Sequence, residues 1–269
     1  MPKVTAKQHR LFVEVNNSVR DHLQFIGVAI VGTRDGAPHD IGSGTCIAID
    51  GRHFVATADH VIRDFPDDEL LLITELDGQT WTPGIRARGS EPRLDLAWIE
   101  LVPGAEEHMS RNFIGLERVR PHCHDIGEDV AAVYGFPSRL VEHVPGSKRI
   151  DVQPLCFGTG TIDGSTVSTT YASDEDLYLG FPYDELSGSD GKPITDPIEA
   201  PGLSGGGIWA LDINRKGIWT PESARLIGIQ HSWLRWQWVR GTQIQHWLAL
   251  VARDLPELAA AIASHNTSS

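Results

Sequence analysis

Apolar residues recur at every fourth position near the start of the chain, and this spacing predicts an amphipathic helix over Thr5–Leu23. The repeating positions are Leu11, Val15, Val19 and Leu23. A second amphipathic pattern lies within residues 242–264, where one helical face carries Ile244, Trp247, Leu248 and Val251. Pro256 is expected to start or kink the last segment of this C-terminal helix, because proline interrupts helical hydrogen bonding.

Between these helices, short apolar runs alternate with turns rich in glycine and aspartate, which predicts β-strands. Asp50-Gly51 is typical of a two-residue hairpin turn. The predicted strands are Phe25–Val31, Ile41–Ile49, His53–Thr57, Leu70–Thr74, Trp81–Arg88 and Leu96–Ile99. Trp236 and Trp238 alternate as strand residues do, whereas Ser173–Ala200 is rich in Asp, Gly, Ser and Pro and is predicted to be a loop insertion.

Composition narrows the class of protein. A chain of 269 residues with 41% hydrophobic residues can bury a substantial core, either as one large domain or as two halves that share an interface. The net charge of −13 argues against nucleic acid as a partner, because phosphates would be repelled. No run approaches ~18 consecutive apolar residues, so we expect no membrane span.

Cysteine usage and the N-terminal composition predict a reducing, cytoplasmic setting. The cysteines are odd in number and include no close pair, which argues against a disulfide framework: Cys46, Cys123 and Cys156. Met1–Phe25 is charged throughout and lacks the apolar segment of a secretory signal.

Candidate chemistry begins with Pro201–Trp209, where Ser204 stands among glycines before an apolar run. Glycines permit backbone conformations that a Cβ forbids, and they allow several N–H groups to converge on one anionic oxygen. These are requirements of an activated serine nucleophile, although a simple glycine-rich loop has the same composition.

Two further residues have suitable chemistry. His60 follows a predicted strand, where it would serve as a general base or have only a structural role. Asp95 precedes the apolar run Leu96–Ile99, so its charge needs a partner such as a histidine, unless it is only a capping aspartate.

The order His60, Asp95, Ser204 in these settings resembles the trypsin-like serine endopeptidases. Three segments carry the resemblance: Thr57–Val61 is similar to their T-A-x-H motif, Asp95–Ile99 to D-[IVL]-A-hydrophobic, and Gly202–Gly206 to G-x-S-G-G. The resemblance extends to strands that flank these motifs in the family, at Ser43-Gly44-Thr45 and Leu226–Ile229. Gly127–Pro137 is similar to the opening strand of the second barrel in the bacterial HtrA branch. Only about thirty residues follow Trp238, too few for the PDZ domain that HtrA proteases carry.

The resemblance implies an all-β fold of two six-stranded antiparallel β-barrels with N- and C-terminal helices. We therefore expect a single peptidase domain over residues 1–269, with a helix over 1–24, barrels over 25–120 and 126–240, and a C-terminal helix over 242–264. The implied activity is that of a serine endopeptidase without a cofactor, acting on a protein or peptide. A catalytically silent or partner-activated binding module and an esterase remain alternatives.

The resemblance also implies residue roles. Ser204 would be the nucleophile, His60 the general base and Asp95 the acid that orients it, while the amides of Gly202 and Ser204 would form the oxyanion hole. Ile198 would lie at the base of the specificity pocket. His231 and Trp233 follow the cleft strand and would contact substrate.

Some residues depart from the family pattern. Asp59 directly precedes His60 and is a competing acid, but consecutive side chains generally point apart, which favours Asp95. Leu203 stands where digestive members carry an aspartate that pairs with a newly cut N-terminal amine. We therefore expect local packing, or an activating partner or ligand, to order the oxyanion loop.

Pro121–Asp125 contains residue types found in metal sites. It has no second matching cluster, and it falls in the expected connection between the barrels. An exposed linker is therefore favoured over a metal site.

Overall fold

The computed structural model describes residues 6–73, 80–81, 84–123, 126–127, 129–143, 149–164, 167, 174–181, 192, 199–214, 218–234 and 237–266. The helices are α1 (Ala6–Leu23), α2 (Asp59–Ile62), α3 (Ile244–Asp254) and α4 (Ala259–Asn266). The strands of the first half are β1 (Gly27–Arg34), β2 (Ala37–Ile49), β3 (Arg52–Thr57), β4 (Leu70–Ile73), β5 (Thr80–Trp81), β6 (Ile85–Glu91) and β7 (Leu96–Leu101). Those of the second half are β8 (Ala131–Gly135), β9 (Val141–His143), β10 (Ile150–Val152), β11 (Leu155–Thr159), β12 (Asp176–Gly180), β13 (Gly207–Ala210), β14 (Arg225–Leu234) and β15 (Trp238–Gln243).

Thirteen of the strands form two large antiparallel sheets, β9 and β10 pair as a separate two-stranded sheet, and the predicted two-barrel architecture is confirmed. The first sheet has the order β5-β4-β1-β2-β3-β7-β6, and the second has the order β11-β8-β13-β14-β15-β12. The first sheet has seven strands rather than six, because the single strand predicted over Trp81–Arg88 is two strands, β5 and β6. Pro83 and Gly84, both poor strand residues, lie between them.

Alternation along the strands divides most of the buried apolar residues among three large clusters, and a small fourth cluster contains Val167, Tyr178 and Trp238. On β7, Leu96 and Trp98 join a cluster shared by both sheets and the helices, whereas Ala97 and Ile99 fill the first barrel. On β13, Trp209 joins the shared cluster and Ile208 fills the second barrel. Strands of this kind are buried on both faces, which explains why they appear in the sequence as continuous apolar runs.

The N-terminal helix packs on the second barrel. Val15, Val19 and Leu23 are buried, as predicted, and the Asn16 side-chain amide donates to the carbonyl of Cys156 on β11 at 3.1 Å. The expectation for Leu11 is wrong, because its side chain is 55% exposed. The next residue, Phe12, does pack on the barrel, with its ring against Gly158 of β11.

The C-terminal helix of the second half packs against the first barrel. Trp247 of α3 is fully buried, and its indole N–H donates to the carbonyl of Ala97 at 3.0 Å. The helix ends at Asp254, and a 3₁₀ turn over Pro256–Leu258 leads into α4. Pro256 therefore interrupts this region as predicted.

The prediction of a loop insertion over Ser173–Ala200 is wrong where the structure describes it. Asp176–Gly180 forms β12, which pairs with β15 from Asp176↔Thr242 to Gly180↔Trp238. Three successive buried residues anchor this edge strand: Leu177, Tyr178 and Leu179. The polar flanks concealed a short apolar core that becomes a strand by pairing with β15. Residues 182–191 and 193–198 lie outside the described residues.

Among the helices that the structure describes, none is both long enough and apolar enough to cross a membrane.

Candidate active site

His60 lies where the first barrel turns from strand to helix. β3 ends at Thr57, and the short helix α2 places His60 in its first turn. The next two residues, Val61 and Ile62, are buried in the first barrel and anchor this turn. The side chain of His60 remains 33% exposed, so a reactant could reach it.

Asp95 binds His60 at two points. Its Oδ2 lies 2.7 Å from Nδ1 of the His60 ring, and its Oδ1 accepts the backbone amide of His60 at 3.0 Å. Asp95 sits just before β7 with a φ of 51°, in the left-handed region that aspartate tolerates better than most residues. Asp59, the competing acid, is turned away and its carboxylate lies 3.4 Å from Nη1 of Arg63.

This contact changes the ionisation of both groups. The hydrogen bond with Asp95 raises the pKa of His60 above its ordinary value of 6.5, against the opposing effect of burial. Burial alone would raise the pKa of Asp95, but hydrogen bonds from the His60 ring and backbone, together with the charge on His60 and His231, lower it overall. Asp95 is therefore an ionised acceptor at neutral pH.

The loop that carries Ser204 has left-handed backbone at two glycines. Gly202 and Gly205 have φ values of 93° and 88°, which residues with a Cβ rarely adopt. A Cβ at Gly202 would collide with backbone atoms of Phe136 and Ser138, and one at Gly205 would collide with the carbonyl oxygen of Ser43. The glycines thus let the loop pass against neighbouring backbone.

Two amides of this loop have no acceptor among the described residues: those of Gly202 and Ser204. The other amides of the loop are bonded, with Leu203 donating to Ala200 at 2.9 Å, Gly205 to Gln230 at 2.7 Å and Gly206 to Leu203 at 2.8 Å. The pair without acceptors is the pair expected to form the oxyanion hole. Two amide donors without acceptors in one loop suit a developing negative oxygen.

The Ser204 hydroxyl donates to the main-chain carbonyl of His231 at 3.4 Å. Within the part of the chain that the structure describes, it has no hydrogen bond to His60. The structure therefore brings His60 and Asp95 into contact and places Ser204 against the cleft strand β14. A long or missing bond between nucleophile and base is common before substrate binds.

The structure buries His231, for which contact with substrate was expected, at 7% exposure between two carboxylates. Its Nδ1 lies 3.9 Å from Oδ2 of Asp95, and its Nε2 lies 3.4 Å from Oδ1 of Asp176. Asp176 also accepts the Thr242 hydroxyl at 3.2 Å and lies 3.6 Å from Arg240. The second side of Asp95 is thus lined by a histidine and a further carboxylate.

The other two residues predicted to contact substrate are Trp233 and Ile198. Trp233 is partly buried and packs edge-on against Phe181, with ring centroids 6.3 Å apart. Ile198 lies outside the described residues, as does Trp236, which was predicted to alternate with Trp238 along a strand.

The prediction of an exposed linker over Pro121–Asp125 is wrong in part, because His122 is exposed but Pro121 and Cys123 are buried. His122 donates its amide to the Gln245 side chain at 2.9 Å, and Cys123 is buried. His124 and Asp125 lie outside the described residues. The residues that are described contain no group of three His, Cys, Asp or Glu side chains placed to hold a metal ion.

Comparison with solved structures identifies the fold. The chain is similar to the scabies mite inactivated protease paralogue S-D1, with a TM-score of 0.55 and 10% identity over 91% of this chain and 95% of that one. It has the trypsin-like serine protease fold. The trypsin-like chain is also similar to the mite paralogue S-I1, with a TM-score of 0.54 and 12% identity over 89% of this chain and 97% of that one.

A bacterial protein shares the same architecture. The trypsin-like chain is similar to a serine endoprotease from Yersinia pestis, with a TM-score of 0.50 and 16% identity over 90% of this chain and 66% of that one. No protein-family model and no curated protein sequence matches the chain. Solved relatives of the trypsin-like fold thus include both an endoprotease and paralogues named as inactivated.

Proposed function

We propose that the chain is a serine endopeptidase that hydrolyses peptide bonds through an acyl-enzyme. The observation that carries this proposal is the two-point contact between Asp95 and His60, at 2.7 and 3.0 Å. A histidine fixed in this way has one ring nitrogen committed to the carboxylate and the other available for proton transfer. Orientation of the base by a third group is the usual requirement of a triad.

In the proposed reaction, the Ser204 oxygen attacks the peptide carbonyl carbon and its proton passes to Nε2 of His60. The carbonyl oxygen becomes negative and accepts hydrogen bonds from the amides of Gly202 and Ser204. His60 then gives the proton to the leaving amine, and the peptide C–N bond breaks. A water molecule repeats the attack on the ester, with His60 again taking and returning a proton, so that acid and free Ser204 form.

We propose an apolar or small residue at the substrate position before the cleaved bond. The sequence supports this through Ile198, which offers no carboxylate to pair with Lys or Arg. Trp233, beside Phe181, would add apolar surface to the same cleft. Charged side chains would have to leave water there without a partner.

A reducing, cytoplasmic setting belongs to the same proposal. The three cysteines are buried thiols. Burial raises the pKa of Cys46 and of Cys156 to about 12, so neither is a reactive thiolate.

A catalytically silent binding module is the second candidate, and one observation favours it. The Ser204 hydroxyl is directed to the carbonyl of His231 rather than to His60. Two proteins with similar structures are also named as inactivated paralogues. In this case the same cleft would bind a peptide without cutting it.

Labelling with a fluorophosphonate separates these functions, because the reagent reacts only with an activated serine. We expect one label per chain, at Ser204, and none in Ser204→Ala. Hydrolysis of matched peptide and ester substrates then distinguishes an endopeptidase from an esterase that uses the same residues. A folded wild-type chain that binds peptides but is neither labelled nor active on either substrate would establish the binding module instead.

A further inference from the structure

Ser43 uses every polar group it has at the junction between the two barrels. Its amide donates to the carbonyl of Ser204 at 2.7 Å, and its hydroxyl donates to the carbonyl of Gly202 at 2.7 Å. The same hydroxyl accepts the amide of Phe136 at 2.8 Å, while the Ser43 carbonyl accepts the Thr57 hydroxyl at 2.7 Å. The residue is fully buried, so none of these groups has water as an alternative partner.

Hydrogen bonds within the second half of the chain determine which way the amides of Gly202 and Ser204 point. In a trans peptide the carbonyl and the N–H point in opposite directions, so a bonded carbonyl fixes the adjoining amide. The Pro201 carbonyl accepts the Ser138 amide at 2.8 Å, and the Leu203 carbonyl accepts the Gly206 amide at 2.8 Å. These two bonds direct the amides of Gly202 and Ser204 to the opposite side.

Ser43 holds the other two carbonyls of this loop, those of Gly202 and Ser204. They lie on either side of the Leu203–Ser204 peptide, whose amide is one of the two without an acceptor. Four successive carbonyls are thus bonded, and one residue of the first barrel bonds two of them. The hydroxyl contact spans 159 positions of sequence.

We propose that Ser43 is a positioning residue that holds the oxyanion loop with its two amides facing the reacting carbonyl. This inference rests on the proposed endopeptidase function. Leu203 is buried and uncharged, so the loop contains no carboxylate beside Ser204 for an inserted N-terminal ammonium to pair with. The Ser43 hydroxyl supplies a neutral, preformed replacement for that charge pair.

The variant Ser43→Ala tests the proposal, because it removes only the hydroxyl and keeps the backbone bonds. A loop that no longer holds its donors in place stabilises the transition state less, without changing how the ground state binds. Loss of one oxyanion donor lowers kcat on the order of 10²–10³-fold, so we expect kcat to fall at least about tenfold with KM changed less than about twofold.

Thr33→Val is the matched control. Thr33, on β1, is also a buried residue of the first barrel, and its hydroxyl donates at 3.0 Å to the carbonyl of Glu69 in the 3₁₀ turn before β4. Neither element carries a proposed site residue. Thr33→Val should lose about as much thermal stability as Ser43→Ala, while its kcat stays within about twofold of wild type. Equal losses of kcat in Ser43→Ala and Thr33→Val would show a general effect of destabilisation and overturn the proposal.

A second readout does not depend on catalysis. Hydrogen exchange of the Leu203 and Gly205 amides, measured by NMR, reports whether the loop is held. We expect exchange at least about tenfold faster in Ser43→Ala than in Thr33→Val. Unchanged exchange overturns the role of Ser43 even if the chain proves to be a binding module, whereas absent labelling of wild type at Ser204 overturns only the proposed function.

If Ser43→Ala does not fold, Ser43→Cys, with a weak donor of similar size, is subject to the same measurements and should lie between wild type and the expected loss.

Discussion

Asp95 accepts two hydrogen bonds from His60, one from the ring at 2.7 Å and one from the backbone amide at 3.0 Å. An ionised carboxylate can only accept, so the ring nitrogen that faces it, Nδ1, must carry the proton. Nε2 is then left as the basic nitrogen. One aspartate therefore fixes the position, orientation and tautomer of the histidine together.

Loss of the Asp95 charge is predicted to disable the base. In Asp95→Asn the amide can donate to Nδ1, which leaves the wrong nitrogen protonated, and kcat should fall on the order of 10⁴-fold. Ser204→Ala and His60→Ala should abolish peptide turnover with little change in melting temperature. Asp59→Asn is the matched control, since this acid pairs with Arg63 instead, and its kcat should stay within about threefold of wild type. Full activity of Ser204→Ala would exclude the serine mechanism.

The pH profile is predicted to reflect the raised pKa of His60. Only neutral His60 can accept the serine proton, so the acidic limb of kcat/KM should have its midpoint above 6.5. In Asp95→Asn the supporting hydrogen bond is lost, and the residual activity should have a lower midpoint. A wild-type midpoint below 6.5 would contradict the assigned contact.

The free energy of unfolding should also depend on pH through the raised pKa of His60. A raised pKa in the folded state means that protonated His60 stabilises the fold below its unfolded pKa, and this contribution disappears as pH rises through the folded pKa. The free energy of unfolding lost in Asp95→Asn should therefore be larger at pH 6 than at pH 9. Denaturant titrations at both pH values measure the difference, and a loss that grows with pH is the opposite of our expectation.

Substrate preference is predicted to be apolar or small at the residue before the cleaved bond. An apolar pocket discriminates by roughly 1–3 kcal/mol per methylene-sized difference, whereas a charged residue must be desolvated without a partner. A profiled peptide library measures this directly. Dominant cleavage after Lys or Arg would contradict it and would indicate an acidic residue from the 182–198 region in the pocket.

Activity is predicted not to require a newly cut N-terminus. Helix α1 directly precedes β1, and Leu203 cannot accept the charge of an inserted amine. A chain with an intact, acetylated N-terminus should be labelled at Ser204 by a fluorophosphonate, at once or after an activator is added. Labelling that appears only after cleavage before Phe25, and disappears when the new amine is acetylated, would contradict this expectation.

Gly202→Ala is predicted to damage both stability and catalysis. A Cβ there would meet the backbone of Phe136 and Ser138, in addition to the left-handed φ of 93°. Gly51→Ala is the control, because Gly51 has a φ of 73° but open space around its Cβ position. Backbone strain alone should cost Gly51→Ala about 1–2 kcal/mol and leave kcat unchanged. Gly202→Ala should lower the free energy of unfolding by more than Gly51→Ala does, and it should lower kcat on the order of 10²-fold. Equal effects of the two variants would mean that the close approach of Gly202 to the backbone of Phe136 and Ser138 is unimportant.

The sequence predicts the elements whose pattern is local. The helix of Val15, Val19 and Leu23, the hairpin at Asp50-Gly51 and the apolar strand β7 all follow from spacing and turn chemistry. Leu11 and β12 do not, because their burial depends on where the second barrel ends and on pairing with β15. A periodic pattern gives the face of an element but not how far its neighbour extends.

The same limit applies to the candidate site. Three short motifs indicate His60, Asp95 and Ser204, yet they do not indicate Asp176 behind His231, which lies in a tract without a strand pattern. Ser43 had two signals: it lies between two glycines in a predicted strand, and Ser43-Gly44-Thr45 is similar to a flanking strand of the family. Its partners come from the far half of the chain, so only the folded arrangement gives it a role.

The contacts of Ser43 also bear on when during synthesis the site can form. The ribosome releases the first barrel before the Ser204 loop exists, and the loop makes its contacts with Ser43 only when the second barrel docks on the first. A partly translated chain would thus have a fixed histidine but no ordered oxyanion loop. In the proposed endopeptidase, catalysis would therefore begin only after the second half of the chain has been made.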